Sequence, residues 1–182
     1  MDFIRPTKFF SDLFSMKQCV NHLIQQIGWG SKDQIGLTRR PDSNDPWLDA
    51  AGSLYDRETK VFFAEEKDFT EFNPIPEFLL NSINALSVNE NIKFGRIRIM
   101  RLVPRRSLSI HYDSDTRYHY VIETNPKSYL CLNNNQATGL EPRAQCFHIP
   151  MDGQWYHIDT RKPHWVYNGG DTDRIHLVIN TV

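Results

Sequence analysis

Apolar side chains recur at helical spacing in two stretches of the first half of the chain. The first stretch runs from Phe10 to Ile27, with apolar positions three or four residues apart, and Gly28 follows where a helix would end. The second begins near Pro76, a residue suited to the first helical turn, and continues to Leu86. The pattern predicts two amphipathic helices.

The pattern changes at Gly95. From there, short segments rich in Ile, Val, Tyr and Thr follow one another, separated by turn residues such as Asp152 and Gly153. The predicted strands cover residues 96–103, 107–113, 117–124, 127–132, 143–149, 154–159, 163–168 and 173–180. Eight strands without intervening helices are typical of a jelly roll, the double-stranded β-helix that is also the cupin architecture. We therefore expect a mainly β fold with N-terminal helices.

Length sets the expected domain organisation. A length of 182 residues is typical of one domain. Such a chain can bury a hydrophobic core that is stable without disulfides or bound metals. We expect a single domain over residues 1–182. Residues 1–94 would form a helical and loop support, and residues 95–182 would form the double-stranded β-helix core that carries any catalytic site.

The segment between the two predicted helices is rich in Asp, Gly, Pro and Ser. Residues 31–60 show no period, which predicts a long loop with a short strand at 35–38 as its one candidate element. Loops of this length often serve as lids or binding segments, so Arg39, Arg40 and Trp47 within 38–57 are candidates for contact with a substrate. The alternative is a solvated surface loop with Trp47 packed against the core.

Composition and charge narrow the class of protein. The net charge is -1, with 24% charged and 40% hydrophobic residues, as in soluble globular proteins. The chain lacks the basic excess of a nucleic-acid-binding protein, and no run approaches the roughly 18 apolar residues of a membrane span. The N-terminal residues lack the basic-then-apolar order of a signal peptide. We expect a cytoplasmic protein that binds neither nucleic acid nor membrane.

The three cysteines form no recognisable framework. Cys19, Cys131 and Cys146 are odd in number, with no CxxC pair and no regular spacing. This argues against both a disulfide scaffold and a zinc ribbon. We expect buried apolar side chains in a reducing compartment.

The two halves of the chain differ in charge. Residues 1–94 hold 10 basic and 14 acidic side chains, whereas residues 95–182 hold 11 basic and 8 acidic ones. Nine of the 11 basic residues in the second half are arginines, whose planar fork grips carboxylates and phosphates. The second half therefore favours a small anionic ligand, while any single arginine is better explained by an exposed strand face.

Histidines concentrate in the same half of the chain. His111 and Asp113 are two residues apart on a predicted strand, so their side chains leave the same face. His164 lies on a later strand that a jelly roll can fold opposite the first. Two imidazoles and one carboxylate can hold Fe(II) and leave positions open for substrates and dioxygen. Three other histidines receive no metal role: His148, His157 and His176, the last of which shares a strand face with Arg174 and can line the same pocket.

Basic residues near the candidate ligands suit a dicarboxylate. Arg174 follows His164 by ten residues, where its fork can pair with the distal carboxylate of a ligand that chelates iron through its other end. Such a ligand is 2-oxoglutarate. Arg117 and His119 alternate onto one face of another strand and can donate to the chelating end. Arg98 is a candidate for contact with a substrate carboxylate.

Two other interpretations stay open. In a structural sandwich the histidines are incidental, and the three candidate ligands would lie far apart. In a cupin-like protein, a metal or small ligand is bound without oxygenase turnover. The sequence argues against the usual cupin pattern, because a His-x-His pair with a following Glu is absent and Arg174 would have no task.

The C-terminal half also resembles a known family. The segments that carry the resemblance are GRIRIMRLVP (95–104), HYD (111–113), the Arg-x-His of 117–119, TNP (124–126), PHWVYN (163–168) and DRIHLVIN (173–180). As an ordered set they resemble the aspartyl/asparaginyl β-hydroxylases, Fe(II)- and 2-oxoglutarate-dependent oxygenases that include bacterial hydroxylases of free proline. The similarity covers nearly all of residues 95–182 and, more weakly, IGLTRR at 35–40.

This resemblance implies roles for the candidate residues. The implied iron ligands are His111, Asp113 and His164. Arg174 would bind the distal carboxylate of 2-oxoglutarate, and Arg117 and His119 match positions near the other end of that cofactor. The implied activity consumes dioxygen and releases succinate and carbon dioxide. Its substrate would be a small molecule or a peptide, namely an amino acid or an aspartyl, asparaginyl or prolyl-type substrate, which becomes hydroxylated.

Overall fold

The structure is a computed structural model that describes residues 2–56, 58–134 and 143–182. Arg57, at the end of the predicted lid segment, lies outside the described residues. The helices are α1 (Leu13–Ile27), α2 (Glu77–Glu90) and a short 3₁₀ helix (Glu66–Asp68). The strands are β1 (Ile4–Phe10), β2 (Gln34–Gly36), β3 (Thr38–Arg39), β4 (Tyr55–Asp56), β5 (Val61–Phe62), β6 (Glu71–Phe72), β7 (Phe94–Leu102), β8 (Arg106–Ser107), β9 (Arg117–Glu123), β10 (Ser128–Asn134), β11 (Arg143–Phe147), β12 (Gln154–Ile158), β13 (His164–Asn168) and β14 (Arg174–Thr181).

Two antiparallel sheets contain most of the strands. The larger sheet has the order β1-β12-β9-β14-β7-β2, and the smaller one has the order β11-β10-β13-β8. The predicted mainly β fold is thus confirmed. The N-terminal part, predicted as helices and a loop with a short strand at 35–38, contributes β2 close to that strand and also β1, which the pattern did not predict. Pro6 is tolerated in β1 because an edge strand needs only one row of hydrogen bonds.

The larger sheet separates two apolar cores. On its outer face, Ile97 and Leu177 pack in one cluster with buried side chains of α1 and α2. On its inner face, Val121 packs in a second cluster with Leu130 and Val166 of the smaller sheet. The alternation of strand side chains produces both faces from the same strands. Inward-facing polar residues of β7, β9, β13 and β14 therefore lie between the two sheets.

The first helix begins later than its apolar pattern predicts. Phe10 belongs to β1 and is exposed, and α1 begins at Leu13 after Asp12, whose carboxylate accepts a hydrogen bond from the Ser15 N–H at 2.8 Å. This side-chain cap satisfies a backbone donor at the start of the helix and so fixes the boundary. The second helix begins directly after Pro76, as predicted. No helix within the described residues is long and apolar enough to cross a membrane.

Residues 38–56 of the predicted lid segment are held against the body of the protein by hydrogen bonds and packing. The Gly36 N–H donates to the Trp47 carbonyl at 2.8 Å, and the Trp47 side chain packs against the outer core. The Asn73 side chain donates to the carbonyls of Gly36 and Pro46. Trp47 thus has the packing role of the alternative interpretation. Of the two candidate arginines, Arg39 pairs with Glu71 and Arg40 pairs with Asp49.

Asp49 gives this segment a pH-dependent anchor. Burial alone would raise the pKa of Asp49, but hydrogen bonds from the Arg40 side chain and backbone outweigh it, and the pKa lies below its ordinary value. A lowered carboxyl pKa stabilises the fold above the unfolded pKa of about 3.9, and that stability disappears as the pH falls through the folded value.

We expect Asp49→Asn to lower the free energy of unfolding by about 1 kcal/mol at pH 7, because the charge-assisted hydrogen bonds are lost. Urea unfolding of both proteins at pH 7 and near pH 3 measures this effect. The difference should shrink at the lower pH. An equal difference at both pH values would show that the Asp49 charge contributes nothing to stability.

The three cysteines differ in burial, although the sequence predicted that all three side chains are buried. Cys131 is buried, Cys19 is half-buried and Cys146 is exposed, and all three are free thiols. The prediction of a buried side chain is therefore wrong for Cys146. The reason is strand parity, since Cys146 faces away from the core between the two sheets while its neighbour Phe147 packs into that core.

Candidate metal and 2-oxoglutarate site

The segment before Asp113 was predicted as a continuous strand over 107–113, and this is wrong. Only Arg106–Ser107 form β8, followed by one isolated bridge between His111 and His164. Ser107 pairs with Tyr167, and His111 bridges to His164. Three residues, 108–110, separate these two positions on this side, whereas two residues, 165–166, separate them on β13. One extra residue is a β-bulge, which re-aims the side chains that follow. The bulge turns His111 toward the inside, the side that His164 faces.

The three candidate ligands meet between the sheets. Potential ligand atoms of His111, Asp113 and His164 all lie within 4.8 Å of one another. The backbones of the two histidines exchange hydrogen bonds at 3.0 and 2.8 Å, and the ring centroids are 4.5 Å apart. The Asp113 N–H donates to the Thr160 carbonyl at 2.9 Å, which fixes the third residue. Backbone contacts therefore hold all three side chains at one point.

Backbone carbonyls set the tautomer of both imidazoles. His111 Nδ1 lies 2.8 Å from the Ser109 carbonyl, and His164 Nδ1 lies 2.9 Å from the Lys162 carbonyl. A carbonyl oxygen only accepts, so each Nδ1 carries a proton, and Nε2 of the neutral ring offers a lone pair. This is the arrangement in which histidines bind metals. His164 Nε2 lies 3.6 Å from Asp113 Oδ2.

Asp113 has one oxygen occupied and one free. Arg117 donates to Asp113 Oδ1 at 2.7 Å, whereas Asp113 Oδ2 is buried and has no hydrogen-bond partner within the described part of the chain. An unpartnered buried carboxylate oxygen is costly unless a cation occupies the space beside it. Two neutral imidazole nitrogens and one carboxylate oxygen suit Fe(II), so the residues present fit the metal that the sequence predicts.

A second polar cluster lies on the same inner face, on β9 and β14. Arg174 donates to His176 Nδ1 at 3.1 Å, and His119 Nδ1 lies 3.2 Å from the same atom. Burial, followed by the charges of Arg174 and Arg117, lowers the pKa of His119 well below its ordinary value. Burial and the Arg174 charge do the same to the pKa of His176. Both imidazoles are therefore neutral.

Arg174 is a buried cation without an anionic partner. Its side chain is 5% exposed, and no carboxylate of the described residues forms a salt bridge with it. Burial lowers the pKa of Arg174 to about 9, which still leaves the guanidinium charged at neutral pH. A buried charge without a counter-charge destabilises the fold. The cluster therefore suits an anionic ligand.

His176 belongs to this cluster through its contact with Arg174. Strand parity allowed this position, because the two residues are two apart on one strand. The sequence alone did not indicate the direct hydrogen bond between them. Of the other unassigned histidines, His148 lies beside the Ser128 carbonyl and His157 packs its ring against Tyr118. Neither lies in the ligand cluster.

Arg98 is also buried on the inner face of β7. It donates to the amide oxygens of Gln34 and Asn180 at 3.2 and 3.3 Å, and its Nε has no partner among the described residues. Its neighbour Arg96, by contrast, forms two short hydrogen bonds with Glu66. Burial, with the charges of Arg96 and Arg117, lowers the pKa of Arg98 well below its ordinary value. Every hydrogen-bond partner of Arg98 among the described residues is therefore an uncharged group.

A family model matches most of the chain. The model of the aspartyl/asparaginyl beta-hydroxylases matches residues 53–182, the part of the chain that contains every candidate ligand. The chain is a member of a hydroxylase family. It belongs to the aspartyl/asparaginyl beta-hydroxylases. A search of curated proteins finds no match.

Similar solved structures are distant. One is an oxidoreductase of the 2OG-Fe(II) oxygenase family from Burkholderia pseudomallei, with 13% identity and a TM-score of 0.48 over 61% of this chain and 60% of that one. A cupin domain from Bordetella pertussis has 17% identity and a TM-score of 0.35, covering 48% of this chain and 80% of that one. A mutant oxalate decarboxylase from Bacillus subtilis has 18% identity and a TM-score of 0.38, covering 52% and 23%.

Proposed function

We propose that this protein is an Fe(II)- and 2-oxoglutarate-dependent dioxygenase built on a double-stranded β-helix. It hydroxylates an amino acid or an aspartyl, asparaginyl or prolyl-type substrate. The observation that carries the proposal is the cluster of His111, Asp113 and His164, in which one buried carboxylate oxygen has no hydrogen-bond partner among the described residues. Family membership supports it.

The protein's own residues hold and orient the reactants. His111, Asp113 and His164 would hold Fe(II), and Arg117 fixes the Asp113 carboxylate so that Oδ2 faces the metal position. When bound, Fe(II) and 2-oxoglutarate activate dioxygen to insert an oxygen atom into a C–H bond of the substrate, with release of succinate and carbon dioxide. The apolar side chains of Val121, Leu132 and Val166 belong to one buried cluster between the same two sheets, and this cluster would limit the access of water.

The second cluster orients the cosubstrate. The charged fork of Arg174 pairs with the distal carboxylate of 2-oxoglutarate, which supplies the anion that the buried guanidinium lacks. His176 accepts a hydrogen bond from Arg174 and so restricts its orientation. Arg117 contacts Asp113 and has a buried Nε without a partner among the described residues, so it can donate to the chelating end. His119, whose Nδ1 proton faces His176, would line the pocket beside it. A metal-binding protein without turnover leaves Arg174 unexplained.

The substrate carries a carboxylate in this account. Arg98 faces the same interior, is buried, and has an Nε without a partner in the described part of the chain.

A screen of free amino acids and short acidic peptides for substrate-stimulated succinate release tests the proposed function. Succinate release that rises with one substrate, together with a mass increase of one oxygen atom in that substrate, supports it. No succinate above the level without enzyme for any candidate would contradict it.

Iron retention should depend on pH. Burial lowers the pKa of His164 despite the opposing effects of the Lys162 carbonyl and Asp113, so its imidazole is neutral and able to bind metal at pH 7. Protons compete with the metal only below that lowered pKa. We expect Fe(II) to be retained at pH 7 and released as the pH falls well below the ordinary histidine value of about 6.5.

Metal analysis after gel filtration at several pH values measures this release. Far-UV circular dichroism at each pH shows whether the fold is still intact when iron leaves. His22→Ala, a change on the exposed face of α1, is the control and should leave the release curve unchanged. Iron that stays bound to folded protein far below pH 5 would argue against imidazole ligands.

A further inference from the structure

Two cysteines face each other on the outer side of the smaller sheet, the face opposite the proposed iron ligands. Cys131 on β10 is directly opposite Cys146 on β11 in the antiparallel register. Opposed residues share one face, with Cα atoms about 4.5 to 5.5 Å apart, and disulfides span Cα separations of about 4.4 to 6.8 Å. The strand register alone therefore gives the spacing that a disulfide needs.

The two thiols differ in access. Cys146 is exposed, whereas Cys131 is 3% exposed and lies between Cys146 and Trp165 of the neighbouring strand β13. Burial, and after it the adjacent Cys146 thiol, raise the pKa of Cys131 to about 12. A reagent in solution therefore meets Cys146 first, and Cys131 is reached only through Cys146.

We propose that Cys146 and Cys131 form a redox-active thiol pair that low-molecular-weight disulfides oxidise to an intramolecular disulfide. The Cys146 thiolate attacks one sulfur of the small disulfide, forms a mixed disulfide and releases one small thiol. The Cys131 thiol then loses its proton, attacks the Cys146 sulfur and releases the second small thiol. Two protein thiols are oxidised to one disulfide, and the small disulfide is reduced to two thiols.

The crosslink would join strands close to the proposed iron site. It connects β11 to β10, and the residue after Cys131, Leu132, is paired with His164 on β13. Closing the chain between residues 131 and 146 removes conformational freedom from the unfolded protein. The oxidised form should therefore unfold at a higher temperature than the reduced form, and a reductant should reverse the change. This inference is independent of the proposed function.

The experiment treats the full chain with mixtures of reduced and oxidised glutathione, followed by alkylation of free thiols and peptide mass spectrometry. We expect the wild type to lose the free thiols of Cys131 and Cys146 together, with no glutathione retained and a peptide link between them. Cys131→Ser should stop at a glutathione adduct on Cys146. Cys146→Ser should leave Cys131 unmodified, and Cys19→Ser, the control, should behave as the wild type.

Three outcomes would overturn the proposal. They are a stable glutathione adduct on Cys146 in the wild type, a disulfide between two chains through Cys146, and unchanged free thiols in excess oxidised glutathione. Thermal unfolding of the reduced variants verifies that each variant folds. If Cys131→Ser is destabilised by its buried hydroxyl, Cys131→Ala repeats the test with an apolar side chain, and the same adduct on Cys146 is expected.

Discussion

Replacing Asp113 by alanine is expected to lower the affinity for Fe(II) by about 100-fold or more and to abolish succinate formation. Loss of a residue that only supports a metal ligand typically costs about 10- to 100-fold, and Asp113 is proposed as a ligand itself. Its carboxylate is also the one negative charge in the proposed ligand set, so two neutral imidazoles would remain to hold a divalent cation.

Two companion variants separate metal binding from folding. Asp113→Asn keeps an oxygen that can accept the hydrogen bond from Arg117 but removes the charge, so we expect folded protein that still fails to retain iron. Asp115→Ala is the control, because the backbone carbonyl of Asp115, which accepts from Thr160, survives the change. Anaerobic Fe(II) titration of all three measures the effect. Wild-type affinity in Asp113→Asn would remove Asp113 from the ligand set.

Replacing Arg174 by alanine is expected to raise the KM for 2-oxoglutarate roughly 30-fold or more, with iron affinity unchanged. Truncating one partner of a buried charge pair costs about 2 to 5 kcal/mol, and every 1.4 kcal/mol is about tenfold in affinity. Arg174 is 5% exposed and has no carboxylate partner among the described residues, so a bound ligand would supply the anion.

A 2-oxo acid that lacks the distal carboxylate makes the test specific. The wild type should prefer 2-oxoglutarate strongly over this analogue, and Arg174→Ala should lose most of that preference. Arg105→Ala is the matched control, since Arg105 is exposed and pairs with Asp171 at the surface. An Arg174→Ala variant that still discriminates as the wild type does would show that another residue binds the distal carboxylate.

The core strands were predictable because apolar side chains recur at every second position. In β9 and β14, every second residue is apolar and faces the helices, and the intervening positions carry His119, Arg174 and His176. That alternation places these polar residues on one inner face from the sequence alone. The grouping of His119 with Arg174 follows from the pairing of β9 with β14.

Other features depend on contacts that a local pattern does not contain. The bulge before His111 is one extra residue relative to β13, and it becomes visible only when the two strands are paired. If side chains alternated without interruption from Ser107, His111 would lie on the outward face of the sheet, as Tyr167 does. Phe10 matched the helical spacing of α1, but pairing with Gln154 on β12 and the Asp12 cap place it in β1. The exposure of Cys146 likewise depends on which face of β11 the larger sheet covers.

The central claim is that His111, Asp113 and His164 hold Fe(II) in a position where 2-oxoglutarate chelates it. The most direct test is the absorption spectrum of the protein after anaerobic addition of Fe(II) and then 2-oxoglutarate. We predict a weak visible charge-transfer band that needs both additions and saturates at one equivalent of each. Absence of this band in folded protein, with both additions in excess, would contradict the claim.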